Sequence, residues 1–261
     1  MRFCPLFSGS SGNSIFVSEG KSNILIDAGM PGKSIDTELN AIGMQPKDID
    51  AIFVTHEHID HIKGVGVFSR KYDIPIYAPR LTWEAMESKI GKIKDHNIKI
   101  VDGNFSQIND ITIENFSISH DAVCPRGYKV HGKTKKCCIA TDLGYFSEEV
   151  RAALNDSDIV LLESNHDIEM VKFGPYPYPL KQRILSTKGH LSNDDCGKAI
   201  VDILKNGFKT IYLGHLSKTN NYPELAYETV KSVLIENGID IQKDVELRMC
   251  NRDKHSKVLD V

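Results

Sequence analysis

The sequence has no CxxC pair, no excess of basic charge and no apolar run near the ~18–20 residues that a membrane helix needs. Its six cysteines, Cys4, Cys124, Cys137, Cys138, Cys196 and Cys250, are dispersed except for one vicinal pair. Met1 to Gly20 lacks the basic start and apolar run of a signal peptide, so the thiols are expected to be reduced and the protein cytoplasmic. Cys137 and Cys138 lie in a β-like run and are read as small buried hydrophobes. With 32 basic and 35 acidic residues the net charge is −3, which excludes a nucleic-acid binder that works by bulk charge. A local basic face can still steer a polyanion. Internal repeats, low-complexity tracts and domain linkers are also missing, so residues 1–261 are read as a single domain. At 41% hydrophobic and 26% charged, that domain has an ordinary globular composition and enough length for a real core.

The pattern that is present begins with short strands. Arg2 to Phe7, Ser14 to Ser18 and Asn23 to Asp27 are apolar-rich and separated by turn residues, which predicts an antiparallel meander. A helix is expected over Gly29 to Gly43, a buried strand over Ala51 to Thr55, and helices over Ile62 to Tyr72 and Thr82 to Ile90 around a strand at Ile76 to Ala78. Strands return from Ile98 to Ile118, followed by a hairpin of Tyr128 to His131 with Cys137 to Ala140. The second half alternates: a strand at Ile159 to Leu162, an ordered proline-rich loop at Gly174 to Pro179, a helix from Asn193 to Leu204, a strand at Thr210 to Gly214 and a helix from Pro223 to Glu236. Two β-rich blocks, each followed by helices, predict two sheets packed face to face with helices outside.

The chemistry sits in Thr55-His56-Glu57-His58-Ile59-Asp60-His61, directly after a buried strand. Imidazole and carboxylate are the usual ligands of zinc, manganese and iron, and burying so many titratable groups needs a cation to offset them. His120, Asp142 and His215 each follow an apolar strand in the same way, so all could converge at one edge of a sandwich.

Asp27, the HxHxDH run at His56 to His61, and then His120, Asp142 and His215 resemble the five motifs of the metallo-β-lactamase superfamily. That resemblance implies a four-layer αβ/βα sandwich of the α/β class. Four further stretches are similar to its WalJ/YycJ-like branch, whose members are described as exonucleases acting on DNA: Gly9-Ser10-Ser11-Gly12-Asn13-Ser14, Ser119-His120-Asp121-Ala122, Glu163-Ser164-Asn165-His166-Asp167 and Gly189-His190-Leu191-Ser192-Asn193. The related ribonucleases J carry a large domain between the fourth and fifth motifs. Here the span from Asp142 to His215 holds ordinary strand and helix patterns, so no inserted clamp domain is expected.

The resemblance implies two divalent ions (Zn, Mn or Fe). His56, His58 and His120 would hold one, Asp60, His61 and His215 the other, with Asp142 bridging and Asp27 fixing a ligand imidazole. A hydroxide between the ions would attack a phosphodiester, with Asp60 counted among the catalytic residues. His190 and His166 are candidates for protonating the leaving oxygen. Ser11 and Asn13 in the glycine-flanked loop, and Asn165, Ser192 and Asn193 near a helix start, are candidate substrate contacts. Two basic stretches could guide a polyanion: Lys129 to Lys136, and Lys181, Arg183 and Lys188 beside Tyr176 and Tyr178, where rings suit single-stranded nucleic acid. The expected partner is DNA, with no membrane. The competing readings are a thioesterase or lactonase on the same metals, and a redox or scaffold protein. The last is disfavoured because no length remains for a flavin module and no ligand is missing.

Overall fold

The computed structural model describes residues 1–204 and 207–261. Two seven-stranded sheets are built on the same plan. The first holds β1 (Arg2–Phe7), β2 (Ser14–Glu19), β3 (Ser22–Ile26), β4 (Ala51–Phe53), β5 (Ile76–Ala78) and β6 (Ile98–Ile100), with β14 (Leu259–Asp260) against β1. The second holds β7 (Phe105–Ile108), β8 (Ile111–Ser117), β9 (Arg126–His131), β10 (Lys136–Ala140), β11 (Ile159–Glu163), β12 (Lys209–Gly214) and β13 (Val245–Met249). Each sheet starts as an antiparallel meander and continues as parallel strands, from β3 to β6 and from β10 to β13.

Alternating side chains along each strand serve two cores. Ile24 and Ile26 of β3, Phe53 of β4, Ile139 of β10 and Leu161 of β11 meet between the sheets. Leu25 and Ile52 face outward, onto Ile35 and Leu39 of α1 (Gly32–Ala41), Phe68 of α3 (Val65–Tyr72) and Met86 of α4 (Arg80–Ile90). Cys138 and Leu162 face Leu154 of α5 (Glu148–Asn155), Ile200 of α8 (Asn193–Ile203) and Val230 of α9 (Pro223–Glu236). Both faces of each sheet are thus buried, which is why the parallel strands read as nearly continuous apolar runs. The result is the four-layer αβ/βα sandwich. No helix of the described residues is long and apolar enough to cross a membrane. All six cysteines are free, and all but the half-buried Cys124 are buried.

Several boundaries differ from the expectation. The first helix starts only at Gly32, after Pro31 as its cap. The helix expected over Ile62 to Tyr72 is α2 (Ile59–Ile62) and then α3, broken at Gly64, where a Cβ would meet the Met30 carbonyl oxygen at 2.2 Å. Helix α5 and strands β13 and β14 lie outside the elements expected from the sequence. The proline-rich segment is a short loop that leads from α6 (Ile168–Phe173) into α7 (Tyr178–Ile184); Pro179 in its first turn masks α7, and α6, which holds no proline, is too short to show a clear period. Prolines in a first helical turn cost nothing, because the missing N–H has no partner there.

Candidate metal centre

The parallel strands end at one edge of the sandwich, and the chain turns sharply there. Asp27 after β3, Asp142 after β10 and His215 after β12 all adopt left-handed backbone conformations, with φ of 62°, 59° and 55°. Such a conformation costs about 1–2 kcal/mol per non-glycine residue. Its concentration at three strand ends marks a site whose side-chain directions are imposed by the fold. Gly29 lets the next loop pass: a Cβ there would stand 1.6 Å from the Asp60 carbonyl oxygen.

These turns gather the titratable groups. One potential metal-ligand atom each from His56, His58 and His120 lie within 4.8 Å of one another, as do those of Asp60, His61 and His215, and those of His56, His61 and Asp142. His56, His61 and His215 are buried, as is Asp142. Four of the imidazoles are held from behind. The Thr55 hydroxyl donates to Asp27 Oδ2 (2.8 Å) and lies 3.0 Å from His56 Nδ1, whose proton it can accept. His61 Nδ1 donates to Asp27 Oδ2 at 2.7 Å. His215 Nδ1 donates to Glu163 Oε1 at 2.6 Å, and His120 Nδ1 lies 3.3 Å from the Gly189 carbonyl oxygen. A nitrogen protonated on its outer side presents its other nitrogen, Nε2, as a lone pair to the centre.

The inner atoms show what is needed there. His58 Nδ1 is 3.1 Å from His56 Nε2 and 3.3 Å from His120 Nε2, three acceptors facing one another. Asp142 Oδ2 and His215 Nε2 are buried without a hydrogen-bond partner. Burial would push His215 down, yet Asp142, Asp60 and Glu163 carry it up to about 10. Burial opposes charge on His61 too, but Asp142, Asp27 and Asp60 hold it well above its usual value. Four carboxylates therefore draw positive charge into this edge, and the nitrogen and oxygen donors fit divalent cations.

Glu163 is the residue that sequence reasoning missed. It is fully buried, and besides His215 its Oε1 accepts from His190 Nδ1 at 2.8 Å. Its Oε2 accepts the backbone N–H of Leu143 (3.0 Å) and Leu191 (3.1 Å). Burial alone would raise its pKa, but the two imidazoles hold it at about 2. One carboxylate thus ties together the segments that carry Asp142, His190 and His215. The available signal was a carboxylate ending an apolar strand, as Asp27 does.

The other expected residues divide. His190, Asn165 and Arg183 line the pocket of about 210 Å³ over the centre, with Ser10, Asp121, Tyr176 and Leu180. Asn165 Nδ2 donates to the His215 carbonyl oxygen (2.8 Å), and Arg183 is ion-paired with Asp121. Asn13 is buried beneath the pocket, its Nδ2 3.1 Å from His61 Nε2, while Ser11 is exposed beside it. His166 is not brought to the pocket. It is buried, and burial lowers its pKa to about 4. Ser192 caps α8, and the Asn193 amide is taken up by Ser164 and Asn221, so neither faces the pocket. Lys181 points to the opposite side of α7. Of the other basic stretch, Lys129, Lys135 and Lys136 pair with Asp156 and Asp158, which makes it an ordinary charged face at the far end of the sandwich.

Residues 8–215 match the sequence profile of the metallo-beta-lactamase superfamily. The chain is 43% identical over 249 residues to exodeoxyribonuclease WalJ of Streptococcus pneumoniae, covering 94% of this chain and 93% of that one. It is 41% identical over 248 residues to exodeoxyribonuclease YycJ of Bacillus anthracis, covering 95% and 94%. Among solved structures it is similar to the metallo-beta-lactamase fold protein YhfI from Bacillus subtilis, with a TM-score of 0.72, 14% identity and coverage of 99% and 98%.

Proposed function

The chain belongs to the metallo-beta-lactamase superfamily, and from that premise we propose that it is a metal-dependent exodeoxyribonuclease. The observation that carries this reading is the clustering of seven donors at one edge, five of them lining one pocket, with an eighth group, His190, held beside them. His56, His58 and His120 would hold one ion, Asp60, His61 and His215 a second, and Asp142 would serve both. Bound divalent ions supply a nucleophile near neutral pH and offset the charge that grows on the phosphate oxygens.

The protein's own residues do the rest. His190 Nδ1 is engaged by Glu163, so the proton on its other nitrogen is the one free to reach a leaving oxygen. Burial works against an imidazolium here, but the Glu163 charge outweighs it and raises the His190 pKa, which keeps a proton available. Arg183 and Tyr176 wall the pocket, whose roughly 210 Å³ falls below the range of drug-sized sites.

The test is cleavage of end-labelled single- and double-stranded DNA and RNA by stripped protein, with each metal added back. DNA should be shortened stepwise only after metal is restored. His190→Ala should keep wild-type metal content and lose turnover by ~10²-fold or more. Asp142→Ala should lose metal as well. Metal-replete protein that leaves all nucleic acid intact but opens a thioester or lactone would replace this reading.

A further inference from the structure

Helix α7 separates two cavities. Leu180, Arg183 and Ile184 face the metal pocket. Tyr178, Lys181, Gln182 and Leu185, spaced as one helical face, line a second cavity of about 510 Å³ together with Lys172 of α6. Tyr178 and Leu185 stand on this side, and Phe173, next to Lys172 at the end of α6, is the most exposed large apolar side chain of the described residues. Phe173 is 83% exposed and Tyr178 71%, with Leu185 at 43%. Nothing inside the fold requires two aromatic rings to stand in water at adjacent helix ends. The Gln182 amide donates to the Tyr178 hydroxyl at 3.0 Å, and Lys181 Nζ donates to the Lys172 carbonyl oxygen at 2.8 Å. These contacts fix the two helices and the Tyr178 ring relative to each other. Of the two lysines that line the cavity, Lys172 pairs with Glu169 at 2.9 Å, and no carboxylate lines it.

Building on the nuclease reading, we propose that Phe173, Tyr178 and Leu185 form a stacking platform for bases of the DNA strand whose end lies in the metal pocket. Lys172 and Lys181 flank its phosphates. Exposed rings beside lysines are the chemistry of sequence-tolerant single-strand binding. The width of α7, which stands between the two cavities, sets the length scale. A helix with its side chains is about 10–12 Å across, and a strand rises about 3.4 Å per base in a duplex. The width of α7 alone therefore corresponds to roughly three stacked nucleotides. The platform would hold the strand without touching the bond being cut, and a dinucleotide would not reach it.

The experiment compares kcat/KM for single-stranded DNA of two, four, eight and twelve nucleotides, using metal-loaded protein. Wild type should gain about tenfold or more from the shortest to the longest substrate, the scale of one or two lost stacking contacts. The double variant Phe173→Ala with Tyr178→Ala should lose that gain and keep both wild-type metal content and the wild-type rate on the dinucleotide. Phe173→Tyr with Tyr178→Phe should keep the gain, because every aromatic face stacks. A double variant that still gains with length, or that slows equally at every length, overturns the platform alone. A double variant that changes only the solution mass of the protein would make this face a protein contact and overturn it too. Wild-type protein that cuts no DNA removes the nuclease reading and the platform together.

Discussion

Strands β10, β11 and β12 are crowded with charge at both ends, but only the far end meets its carboxylates with lysines. At the far end Lys129 and Lys136 reach Asp156 at 2.8 and 2.7 Å, and Lys135 reaches Asp158 at 2.8 Å. Lys209 there donates to the carbonyl oxygens of Asn155 and Ser157. The cavity among them, about 480 Å³, is larger than the metal pocket. At the near end imidazoles are the charged partners of Asp27, Asp60, Asp142 and Glu163, beside neutral donors from Thr55, Leu143 and Leu191, and two buried polar atoms have no partner. Charge density and cavity size do not separate the two ends. What separates them is whether lysines or imidazoles meet the carboxylates, because an imidazole can give up its proton and turn a nitrogen lone pair to a metal ion.

The largest expected break in that comparison is Glu163→Gln. A neutral amide would leave His190 and His215 without their anionic partner. Turnover of DNA should fall by ~10²-fold or more, and the activity should decline at a lower pH than in wild type as His190 loses its proton sooner. An unchanged rate and pH profile would show that Glu163 is packing only.

Asp27→Asn should act more mildly. It removes the charge behind His61 but keeps the shape, so metal affinity should weaken by ~10–100-fold with the fold intact. Calorimetric titration of stripped protein with zinc or manganese checks this, and wild-type affinity would take Asp27 out of the site.

Removing the metal should expose the charge imbalance directly. In the metal-free protein His215 is carried from 6.5 to about 10. A folded-state pKa raised in this way contributes stability that is full below about 6.5 and is lost as pH rises through about 10. The melting temperature of chelator-treated protein should therefore fall across that window, while metal-loaded protein stays nearly level. Parallel curves for the two would mean that the carboxylates do not need a cation.

The far end should respond least. Lys129 and Lys136 hold Asp156 at about 2 against an ordinary 3.8, so its contribution is present above 3.8 and lost as pH falls through about 2. Because that carboxylate is largely exposed, Asp156→Asn should cost less than about 1 kcal/mol in urea unfolding. DNA cleavage should not change. Lost activity in this variant would erase the distinction between the two ends.

The two halves of the chain differ in how much of the site they disclose. The first half places Thr55 to His61 on one turn after β4, where neighbouring residues are held within a few bonds of one another. The cluster is therefore readable as a string. The rest of the chain supplies His120, Asp142, Glu163, His190 and His215 from five separate segments. Three of these stood out because polar side chains follow apolar strands, and His190 because it stands between glycine and an apolar residue. Glu163 has the same placement as Asp27, yet its two partners lie 27 and 52 residues away. Ser192 and Asn193 also show the limit. Their cap chemistry was visible, but whether the cap faced a ligand or a neighbouring loop depended on Asn221.

By itself the sequence determined the layered architecture, the metal-binding edge and the kind of ligand atoms there. Those follow from strand periodicity, from the short reach between side chains on one turn, and from the cost of burying unpaired charge. Only the tertiary structure decided which carboxylate backs which imidazole, that Lys129 to Lys136 is neutralised by acids from another segment, and that α7 turns Arg183 toward the histidine-lined pocket and Tyr178 away from it. Each of these is set by packing between elements far apart in the chain, where a rotation of one helix exchanges one face for the other without changing a single residue.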